Sequence, residues 1–316
     1  MATAVTTLMG CLLTASLAYA TQDDVGAFMV RGGGDTKYTG YGECITNECA
    51  TYGDTGCLEE EPCASPANFS TSAQQFLVNT SGTIELYSGG SGTGECLDIK
   101  SNNPSLGELD LFTCDTNDTN AAQHWVYKTD FTNSYIGVLE SIGHPGYCVD
   151  LDGDNMTSGT VIDIASCNGT YAQNWLPAYF SIQVQNYGMG ECLQYDSFSA
   201  LFYDNTCDST NTAQWFSFQP SEIVSGYHGL MLYGADGIDW DVPGTASFIY
   251  PGTPSSSQGW WYYSYGLDAD LTNAYNTTGG LPYDTLYDDG SSNVNEEEGW
   301  AGNTDSQWSF TILGLQ

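Results

Sequence analysis

A short signature recurs along this chain of 316 residues: a glutamine, a variable residue and an aromatic ring, with relaxed copies later on. It ends at Phe76 (after Gln74), Trp125 (after Gln123), Trp175 (after Gln173), Trp215, Trp260 (after Gln258) and Trp308, at intervals of 40 to 50 residues. The cysteines keep the same beat. GEC or GYC places Cys44, Cys96, Cys148 and Cys192, and a second cysteine follows each after 19, 18, 19 and 15 residues. Self-similarity at a fixed period of this length is the mark of a repeat architecture. Within a unit, short runs such as GTIELYS, ECLDIK, ELDLFTC and QHWVY are separated by turn residues and read as four strands. One such unit cannot bury its own apolar face, whereas three closing about a pseudo-threefold axis can. The expectation is an all-β chain of six units in two closures, residues 21–176 and 177–316. The fallback is a single closure over about 77–220 with β-rich flanks.

The spacing also makes pairing within each unit the economical connectivity: Cys44–Cys63, Cys96–Cys114, Cys148–Cys167 and Cys192–Cys207, with Cys49–Cys57 nested in the first. Residues 1–20, MATAVTTLMGCLLTASLAYA, carry no charge, an apolar middle and small residues at Ala18 and Ala20. They read as a secretory leader. Its removal takes Cys11 and leaves an even ten, which suits an oxidising compartment. Six Asn-x-Ser/Thr sequons, at Asn68, Asn79, Asn117, Asn155, Asn168 and Asn276, point to a glycosylated extracellular product, secreted or held at a cell surface. Apart from the leader, no apolar run is long enough to span a bilayer.

Charge narrows the partners. Thirty-nine acidic residues face four basic ones, for a formal charge of −35. Phosphate and sulfate recognition needs Lys and Arg, so nucleic acid, sulfated glycans and anionic membranes are poor partners.

The QxW endpoints, the cysteine pair within each unit, and the runs GECLDI to QHW and GYCVDL to QNW resemble the ricin-B-type lectin family. That resemblance implies β-trefoils of three repeats and a sugar pocket in some repeats. In that family the pocket takes an aspartate two residues after the first cysteine, an aromatic platform shortly before the second, and an asparagine just before the QxW. Carboxylate and amide would hold sugar hydroxyls, and a ring face would cover the sugar's C–H face. Carried over residue by residue, the second unit has Asp98 and Phe112, the third Asp150 but Ala165, the fourth Gln194 and Asn205 with Tyr203 nearby, and the first Thr46. The asparagine place holds Ala73, Ala122, Ala172, Thr212, Ser257 and Asp305. The expected carbohydrate contacts are therefore Asp98, Asp110, Phe112 and Asp150, with Asn120 close by. The tryptophans and glutamines themselves are expected to be structural, rings in the core and amides satisfying backbone groups.

Other chemistry is sparse. Asp150, Asp152 and Asp154 alternate in DLDGDN like a calcium loop, without the glycine and glutamate that complete one. They read first as a turn, and no other cofactor is expected. The three histidines stand in no recognisable triad, so the chain is expected not to be an enzyme. Two readings follow. One is a lectin-like protein binding neutral glycans through shallow repeated pockets. The other is a self-associating subunit, a homo-oligomer or extracellular filament built from trefoil bricks, with GAFMVRGGG (26–34) as a strand donor.

Overall fold

The computed structural model describes residues 24–30, 43–47, 57–64, 68–115, 117, 119–130, 135–155, 157–196, 201–224, 227–234, 260–263, 270–273, 284–288, 294–298, 308–313 and 315. The leader-like segment 1–20, Cys49, Gln258 and Asn276 lie outside these residues, and with Cys49 the pairing of Cys49 with Cys57. Among the described residues the regular elements are β-strands and short 3-10 turns, and no helix is long and apolar enough to cross a membrane.

Twelve strands fall between Asp24 and Ala178, four to a unit. The first unit has β1 (Asp24–Val30), β2 (Glu43–Thr46), β3 (Glu59–Pro62) and β4 (Phe76–Val78). The second has β5 (Ile84–Ser88), β6 (Ser91–Ile99), β7 (Leu109–Thr113) and β8 (Trp125–Asp130). The third has β9 (Tyr135–Ser141), β10 (Tyr147–Leu151), β11 (Ile162–Ser166) and β12 (Trp175–Ala178). In every unit the middle two strands form a hairpin: β2 with β3, β6 with β7, β10 with β11. The outer strands link the units. β1 pairs with β4, β4 with β5, β8 with β9, and β12 returns to pair antiparallel with β1, Ala27 opposite Ala178. This is the closure of a β-trefoil, and closure removes the exposed sheet edges that an open sheet would carry.

Local sequence explains the strands. Ile162–Ser166 reads IDIAS and buries only its isoleucines fully, the period of two that a half-buried strand requires. The β5–β6 turn is Gly89-Gly90 between paired Ser88 and Ser91, with φ of 63° and 89°. Two successive positive φ values suit the tight hairpin turn that matches strand twist, and only glycine adopts both cheaply. The signature rings Phe76, Trp125 and Trp175 are each no more than 1% exposed and belong to one hydrophobic cluster with Phe28, Phe180 and Ile182. Each opens the last strand of its unit. The indole N–H groups are satisfied equivalently: Trp125 Nε1 donates to Leu97 O at 3.1 Å and Trp175 Nε1 to Val149 O at 2.9 Å, both carbonyls one residue past the first cysteine.

Four strands continue the pattern: β13 (Ile182–Asn186), β14 (Cys192–Asp196), β15 (Leu201–Asn205) and β16 (Phe216–Val224). The next, β17 (Tyr227–Gly234), forms a long hairpin with β16. Then β18 (Trp260–Tyr263), β19 (Asp270–Asn273), β20 (Asp284–Asp288) and β21 (Val294–Glu298) form a four-stranded sheet of their own. Finally β22 (Trp308–Ile312) returns to pair with β13, burying Trp308 opposite Asn186. The closed ring thus runs from Asp24 to Ala178 and not over the 77–220 of the fallback. β13 pairs with β16 and β22 as β1 does with β4 and β12, but among the described residues β18 to β21 form a separate sheet and no second complete ring is seen.

Candidate functional site

The glutamine of each signature makes the same set of bonds in four units. Its Oε1 accepts from the backbone N–H one residue after the second cysteine: Ala64 to Gln74 at 2.7 Å, Asp115 to Gln123, Asn168 to Gln173 and Asp208 to Gln214, the last three at 2.8 Å. Its Nε2 donates to the carbonyl one residue before that cysteine, at 2.9 to 3.0 Å: Pro62, Thr113, Ser166 and Thr206. A free hairpin end buried under the next strand would strand a donor and an acceptor, and one amide satisfies both. Disulfides tie the same hairpins: Cys44–Cys63, Cys96–Cys114, Cys148–Cys167 and Cys192–Cys207.

The glutamine's other reach is toward the position two residues after the first cysteine, where the resemblance places the sugar-binding carboxylate. Gln173 Nε2 meets Asp150 Oδ2 at 2.6 Å, Gln74 Nε2 meets Thr46 Oγ1 at 2.9 Å, and Gln214 Nε2 meets Gln194 Oε1 at 3.3 Å. Asp98 takes bonds from Gln123 and from Asn120 Nδ2, the latter at 2.9 Å. Asn120 also accepts from Ala122 N, capping the 3-10 turn Ala121–Gln123. Asn211 repeats this in the fourth unit, accepting from Ala213 N and donating to Gln194 Oε1 at 3.0 Å. The supporting asparagine thus stands three residues before the glutamine.

Register decides what faces each of these side chains. Asp98 lies opposite Asp110, Asp150 opposite Asp163, Thr46 opposite Glu59 and Gln194 opposite Tyr203. Asp163 and Glu59 are absent from the sequence expectations, yet Glu59, Asp110 and Asp163 all stand four residues before the second cysteine of their units. In the second unit Asp98 is 6% exposed, while Phe112, opposite Cys96, is 60% exposed. A buried, doubly held carboxylate therefore shares one hairpin with a bare aromatic ring. Burial raises the pKa of Asp98 against the pull of Gln123 and Asn120. Asp110 is raised by burial and then by Asp98, with Lys100 opposing and Glu108 adding, and its Oδ1 has no hydrogen-bond partner. In the third unit Asp150 is 4% exposed with Oδ1 unpartnered. Burial raises Asp163 to about 7, helped by Asp150, Asp152 and Asp154, and its Oδ1 is also orphaned. Ala165 leaves this unit without an aromatic platform.

The first unit's counterpart is closed over. Glu59 bridges to Val161, Glu60 N donates to Thr160 O at 2.8 Å, and Ser158 Oγ donates to Glu61 Oε2 at 2.7 Å. The third unit thus covers this hairpin, and Glu59 and Glu60 are buried.

One expectation changes. In the fourth unit Trp215 is not the core ring. Gln214 follows Asn211 and Thr212 at the clamp, so Phe216 takes the position two residues on and is 2% exposed, while Trp215 Nε1 turns out to Ser209 O at 3.1 Å. The DLDGDN aspartates diverge: Asp150 points inward to Gln173, whereas Asp152 and Asp154 lie exposed in a 3-10 turn. Among the described residues no group of three or more His, Cys, Asp or Glu side chains is arranged to hold a metal ion. The sequon asparagines differ too. Asn68, Asn117, Asn155 and Asn168 are exposed, but Asn79 is engaged at both ends of its amide, donating to Thr83 Oγ1 and accepting from Ser81 N. For Trp260 only the backbone, in β18, is described.

No curated protein matches the chain. Among solved structures, the agglutinin from Abrus precatorius is 13% identical, with 94% of this chain covering all of that one at a TM-score of 0.39. A non-toxic homologue of type II RIPs from Momordica charantia, in complex with α-methyl-D-galactoside, is 13% identical over 92% of this chain and 97% of its own, TM-score 0.35. A mosquitocidal holotoxin is 14% identical over 93% of this chain, TM-score 0.37, and this chain spans only 35% of its length. Residues 82–216 match the family described as the ricin-type beta-trefoil lectin domain, from the start of the second unit to the core ring of the fourth. Over that segment, less than half of the chain, the sequence is similar to the ricin-type beta-trefoil lectin domain.

Proposed function

We propose that the protein is a carbohydrate-binding, lectin-like glycoprotein of the extracellular space, and that its principal sugar contact is the β6–β7 hairpin. The observation that carries this reading is that Phe112, bare to solvent, shares the β6–β7 hairpin with Asp98, which is buried and held in one orientation by Asn120 and Gln123. An isolated exposed aromatic ring is an ordinary surface feature. Beside a fixed carboxylate it has the two parts a sugar needs: an apolar face for the ring C–H groups and an acceptor for the hydroxyls. The Asp98 carboxylate is fixed before any ligand arrives, so little ordering is lost on binding. Asp150 offers the third unit a similar acceptor without the ring, which makes it the weaker site. Four paired cysteine hairpins and the sequons support an oxidising, secretory setting.

A glycan array probed with the wild-type chain and with Phe112→Ala tests the reading. Binding that Phe112→Ala removes supports it. Silence across the array, or binding indifferent to Phe112, contradicts it. Phe112 is the better probe than Asp98, because its ring is exposed and its removal leaves the clamp intact.

A further inference from the structure

The second and third units share a feature that a pocket for a neutral sugar does not need. Two carboxylates face each other across the hairpin in each, Asp98 with Asp110 and Asp150 with Asp163. A neutral hydroxyl is best met by a donor and an acceptor together. Two ionised carboxylates only accept, and they repel each other unless a proton or a cation lies between them. The internal donors do not fill this demand. Gln173 takes Asp150 Oδ2, and Gln123 and Asn120 take Asp98, yet Asp110 Oδ1, Asp150 Oδ1 and Asp163 Oδ1 are all left without partners. Asp150 is at the same time among the most buried acids of the described residues. A buried carboxylate oxygen without a donor costs free energy until something supplies one. The facing acids recur at one register position in two units, so this is a repeated arrangement.

Resting on the carbohydrate reading above, we propose that these pockets select sugars bearing a free, protonated amine: 2-amino-2-deoxyhexoses without the N-acetyl group. An ammonium brings three donors and one positive charge, which fits a facing carboxylate pair better than a hydroxyl or an acetamide does. In the second unit Phe112 would cover the sugar's C–H face while the amine turns to Asp98 and Asp110. Lys100 and Glu108, joined at 2.5 Å, flank this pair and nearly cancel each other. In the third unit Asp152 and Asp154 add to the negative field around Asp163, and among the described residues no cation offsets it. Burial and crowding keep Asp163 partly protonated near neutrality, so amine binding there releases a proton to solvent.

The test is ligand-observed NMR titration of the full chain near pH 7 in 0.15 M salt. The ligands are the methyl glycosides of 2-amino-2-deoxyglucose, its N-acetyl form and glucose, with ethylamine as a control. The expected result is about tenfold tighter binding of the amino sugar than of either neutral glycoside, the scale of one charge-assisted bond. Asp110→Asn combined with Asp163→Asn should bring the ratio of amino-sugar to neutral-glycoside affinity down to about one, a ratio in which any loss common to all three glycosides cancels. Should the double variant not fold, Asp110→Asn alone, at a half-exposed position, makes the same comparison in the second unit. Equal binding of the three glycosides, or a preference for the acetylated one, overturns the amine selectivity and leaves the carbohydrate reading standing. Ethylamine binding as tightly as the amino sugar, or no glycoside binding at all, overturns both.

Discussion

Gln173 donates to Asp150 Oδ2 at 2.6 Å, which joins the residue that closes the third unit's hairpin to the carboxylate of its proposed sugar pocket. The same amide also holds Asn168 N and Ser166 O. Fold and site therefore share one side chain. Gln173→Ala should leave buried backbone groups unsatisfied and cost about 2–4 kcal/mol. Urea denaturation of the variant against wild type measures this, and a loss below about 1 kcal/mol would show that the clamp is dispensable.

The first unit has phenylalanine where the second and third have tryptophan, and it closes all the same. Trp125→Phe loses only the bond to Leu97 O and some volume, so a cost of about 1–2 kcal/mol is expected. Trp125→Ala opens a cavity in the common core and should cost about 3–5 kcal/mol. Thermal melts of the two variants should keep this order. Equal losses would mean that the indole N–H, not the filling of the core, carries the stability.

The periodic parts of this chain were legible in its sequence, because strand number, hairpin position and core ring all follow from repeated spacing. Trp125, Trp175 and Trp308 are buried as their places in the repeat imply. The fourth unit misleads by a single residue. AQWF offers two aromatics, and only the clamp at Gln214 shows that Phe216, not Trp215, lies two steps beyond it. Asp163 escaped notice because facing pairs depend on hairpin register, which spacing to the second cysteine encodes but composition does not. The closure of Glu59 and Glu60 beneath the third unit depends on how units meet, and no local pattern in the sequence reports that.

Acid should stabilise this protein. Glu60 is fully buried and both its carboxylate oxygens lack partners. Burial raises its pKa to about 8, with Glu43 and Glu61 adding. Glu43 rises to about 7 through burial and Glu61, and Asp24 to about 6 through burial against the bonds from Ser181. In the unfolded chain such groups ionise near pH 4. The folded chain then binds more protons, so their contribution is complete below about pH 4 and is lost as pH rises through 6 to 8. Asp115 acts oppositely on the acid side, held well below its ordinary value by bonds from Thr119 and Asn117. The melting temperature should peak near pH 4–5 and fall by about 5 °C or more by pH 8. Glu60→Gln, which mimics the protonated acid, should flatten that fall. A melting temperature that rises from pH 5 to pH 8 would contradict the burial of these carboxylates.

Sequon occupancy should follow side-chain freedom. Asn117 is exposed, and Asn168 is exposed and uses only its Oδ1, accepting from Thr170 N at 2.8 Å. Asn79 commits its amide nitrogen to Thr83 Oγ1. Glycopeptide mass spectrometry of chain secreted from a eukaryotic host should find glycan at Asn117 and Asn168 and little or none at Asn79. Full occupancy at Asn79 would show that the Asn79–Thr83 bond forms only after modification or not at all.

The claim on which the rest depends is that the β6–β7 hairpin holds a sugar between Phe112 and the Asp98–Asp110 pair. A crystal structure of the chain soaked with the methyl glycoside of 2-amino-2-deoxyglucose addresses it directly. The account predicts one pyranose ring lying flat on the Phe112 face, its amine within hydrogen-bond distance of Asp98 or Asp110. Clear density for the sugar elsewhere, with the Phe112 face bare, would contradict it.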